Sequence, residues 1–335
     1  DKYLNTYIHK LEPDLSAIKW SCTLVNNWIR LKKKNNDEKK VCLIISNYPE
    51  KNGRVGNGVG LDTIESIVEI LKWLNKESYD LGNQIPKDSY ELIQYLITNR
   101  LSNNDKRDRR KVEGVTFDEY YTFWNKLSID NQQLIIDKWG HPKDSKDLIH
   151  NRFEIDAIKF GNIVVLIQPS RGYDPDNIKD IHSPSIPPHH SYLAHYLWIT
   201  KVLKADIISH LGKHGNAEWL PGKGIGLSSN CFPLIVMPPL PYIYPFIVND
   251  PGEGSQAKRR THAVIIDHLT PPLGLSGLYG ELSELEELID EYYEAKLIDE
   301  KRSKYIREKL SSILLSETFM EINNFLQNKT NEITD

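Results

Sequence analysis

Four short apolar runs, each ending directly in a polar loop rich in Gly or Pro, constrain this chain most. They span 41–46, 163–167, 205–210 and 242–248, and they lead into loops at 47–60, 168–172, 210–224 and 249–254. An uninterrupted apolar run of this length is the signature of a strand buried on both faces, as in a parallel sheet. The intervening segments carry helical periodicity. One helix is expected over 14–31, with Trp20, Leu24, Trp28 and Leu31 on one face, and another from Asp62 or Thr63 to Leu74. The stretch 85–155 reads as helices throughout, at 90–101, 117–127 and 132–139. Further helices are expected at 190–204, from Ser255 or Gln256 to about 269 where Pro271 and Pro272 stop it, at 281–295 and at 299–327. The fold class is therefore α/β: mostly parallel sheets with flanking helices and helical insertions, and a ligand cleft at the strand carboxyl ends. The expected organisation is a helical lead-in over 1–40, an α/β unit with a helical insertion over 41–155, a core α/β domain over 156–297 and a helical segment over 298–335.

Composition sharpens where the chemistry lies. Eight of the 11 His fall between His182 and His268, and 14 of the 18 Pro between Pro169 and Pro272. With 42 Lys plus Arg against 46 Asp plus Glu, the net charge of −4 gives no general attraction to nucleic acid or an anionic membrane. Residues 224–249 carry no charge, but Pro233, Pro238, Pro239, Pro241 and Pro245 forbid a continuous spanning helix there. Cys22, Cys42 and Cys231 are too few and too scattered for a disulfide framework or a Cys-based zinc site, so a reducing, cytoplasmic setting is expected. The absent initiator Met and signal segment read as the start of an internal fragment.

The loop after the third run is the densest in chemistry. His210, His214 and Glu218 are four residues apart, yet Gly212 and Gly215 disfavour a helix, which places His214 and Glu218 on a loop at a strand end. Imidazole and carboxylate suit a transition metal and proton removal near neutral pH. His210 reads first as a packed strand-end histidine, whereas His214 with Glu218, flanked by glycines, reads first as functional, the alternative for Glu218 being a salt-bridge partner. The next loop, from Asn249 to His262, carries Glu253 and leads into a helix whose first turns are expected to hold three cations, Lys258, Arg259 and Arg260. Cations there oppose the helix dipole, which points either to a bound anion or to an exposed basic turn. The pair His189 and His190 sits among Pro184, Pro187 and Pro188, in a rigid loop that presents an imidazole or merely lies on the surface. Gly222-Lys223-Gly224 is not a P-loop and the glycines at 53–58 are not a dinucleotide fingerprint, so no nucleotide site is visible. A His-Glu-x-x-His zinc-protease stretch is absent as well.

At these residues a family is recognisable. The stretches His-Leu-Gly-Lys-His-Gly-Asn-Ala-Glu-Trp-Leu-Pro-Gly-Lys at 210–223 and Asn-Asp-Pro-Gly-Glu-Gly-Ser-Gln-Ala-Lys-Arg-Arg-Thr-His at 249–262 resemble the cobaltochelatase/magnesium chelatase large-subunit family. So do Gln-Pro-Ser-Arg-Gly at 168–172, Pro-Pro-His-His-Ser-Tyr at 187–192 and Gly-Glu-Leu-Ser-Glu-Leu at 280–285. The likeness covers most of 40–297, and Gln-Ala-Lys-Arg-Arg-x-His with Asp267-His268 points to the aerobic cobaltochelatase (CobN) branch. One departure is Leu234, where the family carries Asp after Cys-Phe-Pro.

The resemblance implies a subunit that binds a tetrapyrrole and inserts a metal ion. For the cobalt branch this is Co2+ into hydrogenobyrinic acid a,c-diamide in cobalamin biosynthesis, and for the magnesium branch Mg2+ into protoporphyrin IX. ATP is expected to be used by an AAA+ partner ATPase and its companion subunit with a metal-binding motif, not by this chain. The residues then take expected roles. Glu218, His214 and Glu253 are catalytic, with Glu218 the base, and His214, Glu218 and His210 hold the metal. Gln168, Arg171, His189, His190, Lys223, Asn249, Lys258, Arg259, Arg260 and His262 bind the tetrapyrrole. A non-catalytic tetrapyrrole-binding homologue and an unrelated metal hydrolase are the competing readings.

Overall fold

A computed structural model of the chain describes residues 12–47, 56, 61–82, 84–104, 113–172, 183–212, 214–247, 250–267, 285, 287–289, 291–292, 295 and 300–314. The chain divides into two units, Asp1–Leu269 and Thr270–Asp335.

All four apolar runs form strands of one sheet in the first unit. Its strands are β1 (Val41–Ile45), β5 (Ala157–Phe160), β6 (Ile163–Ile167), β7 (Ile207–Leu211), β8 (Tyr242–Pro245) and β9 (Val264–Ile266), in the order β5-β6-β1-β7-β8-β9. Every pairing is parallel except β5 with β6. All five residues of β1 are buried. Its alternate residues feed two cores. Cys42 and Ile44 join Val164, Leu166, Ile208, Tyr242 and Tyr244 on one face, under α6 (His190–Leu197). Val41, Leu43 and Ile45 join Val165 and Leu211 on the other, under Ile67, Val68 and Leu71 of α2 (Thr63–Lys76). Asp62 caps α2 by accepting from the Glu65 N–H at 2.9 Å.

This topology positions the site. Strand β1 is central, and its onward connection runs through α2 on one face, whereas the connection from β6 to β7 runs through α6 on the other. Adjacent strands whose connections leave opposite faces open a crevice at their carboxyl ends. The register sets Ile45 against both Ile167 and Leu211, so the loops after β6, β1 and β7 leave the sheet at one level.

Several boundaries differ from expectation. The stretch 85–155 is not wholly helical: β2 (Glu113–Thr116), β3 (Leu148–Ile149) and β4 (Arg152–Ile155) form a second sheet in the order β2-β4-β3. These strands have two to four residues, too few for a period of two to stand out against neighbouring helices such as α4 (Phe117–Trp124) and α5 (Ile129–Trp139). The six-stranded sheet takes β1 from the range 41–155 and its other strands from 156–297, and the boundary between units falls after residue 269. The helix α1 (Leu15–Lys33) is capped by Asp14, and its Lys34 end is tied to buried Asp206 at 2.6 Å. The helix expected at 255–269 instead runs as α8 (Pro251–Arg260). Asp250 caps it and Pro251 fills its first turn, where a missing N–H costs nothing. In the second unit, α9 (Glu300–Leu314) follows helical residues between 285 and 295, with Leu288, Ala295 and Ile306 buried together. The remaining parts of the helices expected at 281–295 and 299–327 lie outside the described residues. Among the described residues no helix is long and apolar enough to cross a membrane.

Candidate active site

His210 is the penultimate residue of β7, in register with Ile44 of β1. Its ring is buried, 4.7 Å from the Tyr244 ring, and its Nε2 lies 2.7 Å from Gln168 Oε1 on the loop after β6. An Nε2–H donated to that amide oxygen holds the ring in place. Burial first, and then neighbouring His214, push its pKa down to about 3. His210 is therefore a neutral, packed strand-end histidine that positions Gln168.

The chain then crosses to His214 and Glu218. His214 is fully buried, and its Nδ1 lies 2.6 Å from the Gly215 carbonyl oxygen. An Nδ1–H donated there leaves the lone pair on Nε2, which faces Glu253 Oε1 at 3.9 Å. Glu253 is carried into the site on the first turn of α8. Glu218 sits on the short 3-10 turn Ala217–Trp219 and is 1% exposed. Tyr244 of β8 donates its hydroxyl proton to Glu218 Oε1 at 3.4 Å and accepts the Gly215 N–H. Among the described residues, Glu218 Oε2 has no hydrogen-bond partner. Burial raises the Glu218 pKa from 4.5 to about 7, and the Glu253 charge adds to the effect. Gly215 permits this approach: a Cβ there would lie 2.8 Å from Glu218 Oε2.

Two buried arginines hold the same turn. Arg260 donates from Nη1 to the Glu218 carbonyl at 2.7 Å, from Nη2 to that of Leu220 at 2.8 Å and from Nε to that of Lys223 at 3.1 Å. Arg171 donates from Nη1 to the Trp219 carbonyl at 3.4 Å, and from Nη2 to the carbonyls of Ser183 and Ile186 at 3.0 and 2.8 Å.

Other expected site residues are placed elsewhere. Lys258, Arg259 and Arg260 occupy the last turn of α8, not the first, where cations complement the helix dipole, so no bound anion is needed to explain them. Lys258 and Arg259 are exposed. His262 packs at the amino end of β8, against Trp20 at 4.9 Å, with Nε2 3.0 Å from the Leu240 carbonyl oxygen. Leu234, Arg259, Arg260 and His262 share a pocket of about 280 Å³ there. His190 spends both ring nitrogens structurally, with Nδ1 2.9 Å from Tyr120 Oη and Nε2 3.0 Å from the Gly140 carbonyl oxygen. His189 caps α6 by accepting the Tyr192 N–H, and burial pushes its pKa down to about 3. Lys223 is exposed, and Asn249 lies outside the described residues. Among the described residues no three His, Cys, Asp or Glu side chains converge to hold a metal ion, so His210, His214 and Glu218 do not assemble as a ligand triad. Tyr244 was not among the expected residues, because in an apolar Tyr-Ile-Tyr-Pro run its ring reads as core.

Residues 1–334 match the family model described as CobN/Magnesium Chelatase. The chain belongs to the CobN/magnesium chelatase family. It is 43% identical over 292 residues to the aerobic cobaltochelatase subunit CobN of Pseudomonas aeruginosa, covering 87% of this chain and 23% of that protein. The corresponding Sinorhizobium subunit is 41% identical over 303 residues, covering 90% and 24%. The chloroplastic magnesium-chelatase subunit ChlH of Oryza sativa subsp. indica is 31% identical over 275 residues, covering 82% and 19%. Among solved structures, the catalytic subunit of cobaltochelatase from Mycobacterium tuberculosis matches with a TM-score of 0.68 and 34% identity, covering 90% of this chain and 26% of that one. The chain thus spans about a fifth to a quarter of the length of these chelatase relatives.

Proposed function

We propose that this chain forms the tetrapyrrole-binding, metal-inserting core of a chelatase large subunit. The observation that carries this reading is the loop after β7, which holds both the buried Glu218 carboxyl, hydrogen-bonded by Tyr244, and buried His214, whose Nε2 faces Glu253 at 3.9 Å; burial raises the Glu218 pKa to about 7. Insertion must strip water from a metal ion and remove two pyrrole protons. A carboxyl with a pKa near 7 accepts such protons under physiological conditions. His214, its Nδ1–H fixed on the Gly215 carbonyl, directs a lone pair from Nε2 toward Glu253, a nitrogen and oxygen pair suited to a substrate cation of the first transition row. Exposed Lys223, next to the turn, offers an ammonium to a substrate carboxylate.

The substrate metal is Co2+ and the acceptor hydrogenobyrinic acid a,c-diamide. The greater identity to cobaltochelatase subunits, 43% and 41% against 31% for the magnesium subunit, supports this branch. ATP is hydrolysed by an AAA+ partner subunit, acting with a companion that carries a metal-binding motif.

The test is Glu218→Gln in the whole protein, assayed with partner subunits, ATP and Co2+. Insertion is expected to be lost, while an absorbance titration shows tetrapyrrole binding retained. Insertion at the unmodified rate sinks the assignment. Insertion of Mg2+ into protoporphyrin IX by the unmodified protein, with none of Co2+, would transfer it to the magnesium branch.

A further inference from the structure

Three consecutive carbonyls around Glu218 are gripped from two sides. Arg260 of α8 holds those of Glu218 and Leu220, and Arg171, from the loop after β6, holds that of Trp219 between them. Both arginines are buried, 7% and 0% exposed. Arg260 reaches on to the Lys223 carbonyl, so one guanidinium spans the backbone from residue 218 to residue 223. Arg171 ties the same turn to the Pro-rich loop through Ser183 and Ile186.

We propose that Arg260, assisted by Arg171, is a positioning residue for metal insertion, fixing the 217–223 turn so that the Glu218 carboxyl stays at the strand ends. This rests on the reading of Glu218 as the proton acceptor. Several converging carbonyl oxygens form a site of negative potential that a planar guanidinium fills with its fork of donors. Lysine, with one ammonium on a flexible stem, does not span the backbone from residue 218 to residue 223. Turning Arg260 toward a substrate carboxylate would strand three carbonyls, two of them among the best hydrogen bonds of the turn. The guanidinium therefore stays on the protein when the tetrapyrrole binds.

The test compares Arg260→Lys with the unmodified whole protein, in the presence of partner subunits and ATP. Its kcat for insertion is expected to fall roughly 100-fold, the scale of a misplacement of about 1 Å, while KM and the tetrapyrrole Kd by absorbance titration stay within about twofold. A rise in KM and Kd with kcat unchanged overturns the proposal, because the guanidinium then meets the substrate. Unchanged kcat and KM overturn it as well. If circular dichroism shows Arg260→Lys unfolded, Arg171→Lys carries the same comparison, releasing only the Trp219 carbonyl on the site side. Unfolding of both variants counts against it, because the arginines would then hold the domain and not the turn. Glu218→Gln separates the two readings: if it keeps full insertion, Glu218 is not the base whatever Arg260→Lys does.

Discussion

Tyr244 and Glu218 meet through one hydrogen bond, the tyrosine hydroxyl donating to Oε1 at 3.4 Å in a buried setting. That hydroxyl favours the charged carboxylate, while burial and Glu253 disfavour it. Tyr244→Phe keeps the ring against His210 and removes the donor to Glu218 together with the acceptor of the Gly215 N–H. It should move the Glu218 pKa above about 7, so the acidic limb of the insertion pH profile shifts to higher pH. An unmoved profile would refute the coupling.

The same shift makes a stability prediction. The Glu218 pKa rises from 4.5 to about 7 on folding, so the native state binds the extra proton between those values. Stability contributed by the protonated group is complete below pH 4.5 and is lost as pH climbs to about 7. Glu218→Gln removes that loss. The variant should be more stable than the parent at pH 8, by about 1–3 kcal/mol, and closer to it at pH 5. Urea midpoints at the two pH values check the sign.

Gly215 is a functional position without a functional side chain. Its added Cβ would press on Glu218 Oε2 at 2.8 Å, the end of a side chain and not backbone. Gly215→Ala should therefore displace the carboxyl more than it destabilises the fold. Insertion should drop by roughly 100-fold, with a urea midpoint close to that of the parent. A stability loss with full activity would reverse this ranking.

His190 tests the opposite case. With both ring nitrogens engaged to Tyr120 and the Gly140 carbonyl, and the ring 5.2 Å from that of Trp124, it behaves as core. His190→Ala should cost about 2–4 kcal/mol, from a cavity and an unpaired buried hydroxyl. Tetrapyrrole Kd, corrected for the folded fraction, should not change. A weakened Kd in fully folded protein would return His190 to the binding site.

Parallel strands with loops at their carboxyl ends were legible in the sequence, because a strand buried on both faces must be apolar at every position. Val41 to Ile45 show this, all of them buried. The grouping of His214, Glu218 and Glu253 was legible as a consequence of those strand ends. The roles of the cations were not. Lys258 to Arg260 moved from the first turn of a helix to the last because Asp250 and Pro251 start α8 four residues before Ser255. That change turns an anion-binding pattern into one that complements the dipole.

By itself, then, the sequence determined the sheet, the loops at its strand ends and the residue types they carry, since periodicity and loop chemistry are local properties. Only the tertiary structure decided how each polar group is used. His210, His190, Arg171 and Arg260 all looked available for a ligand, and the fold commits them to Gln168, Tyr120 and backbone carbonyls. Tyr244, read as core, instead places its hydroxyl on Glu218. The physical reason is burial: a polar group taken out of water must find its partner among whatever the fold brings near, and sequence spacing does not encode that neighbour.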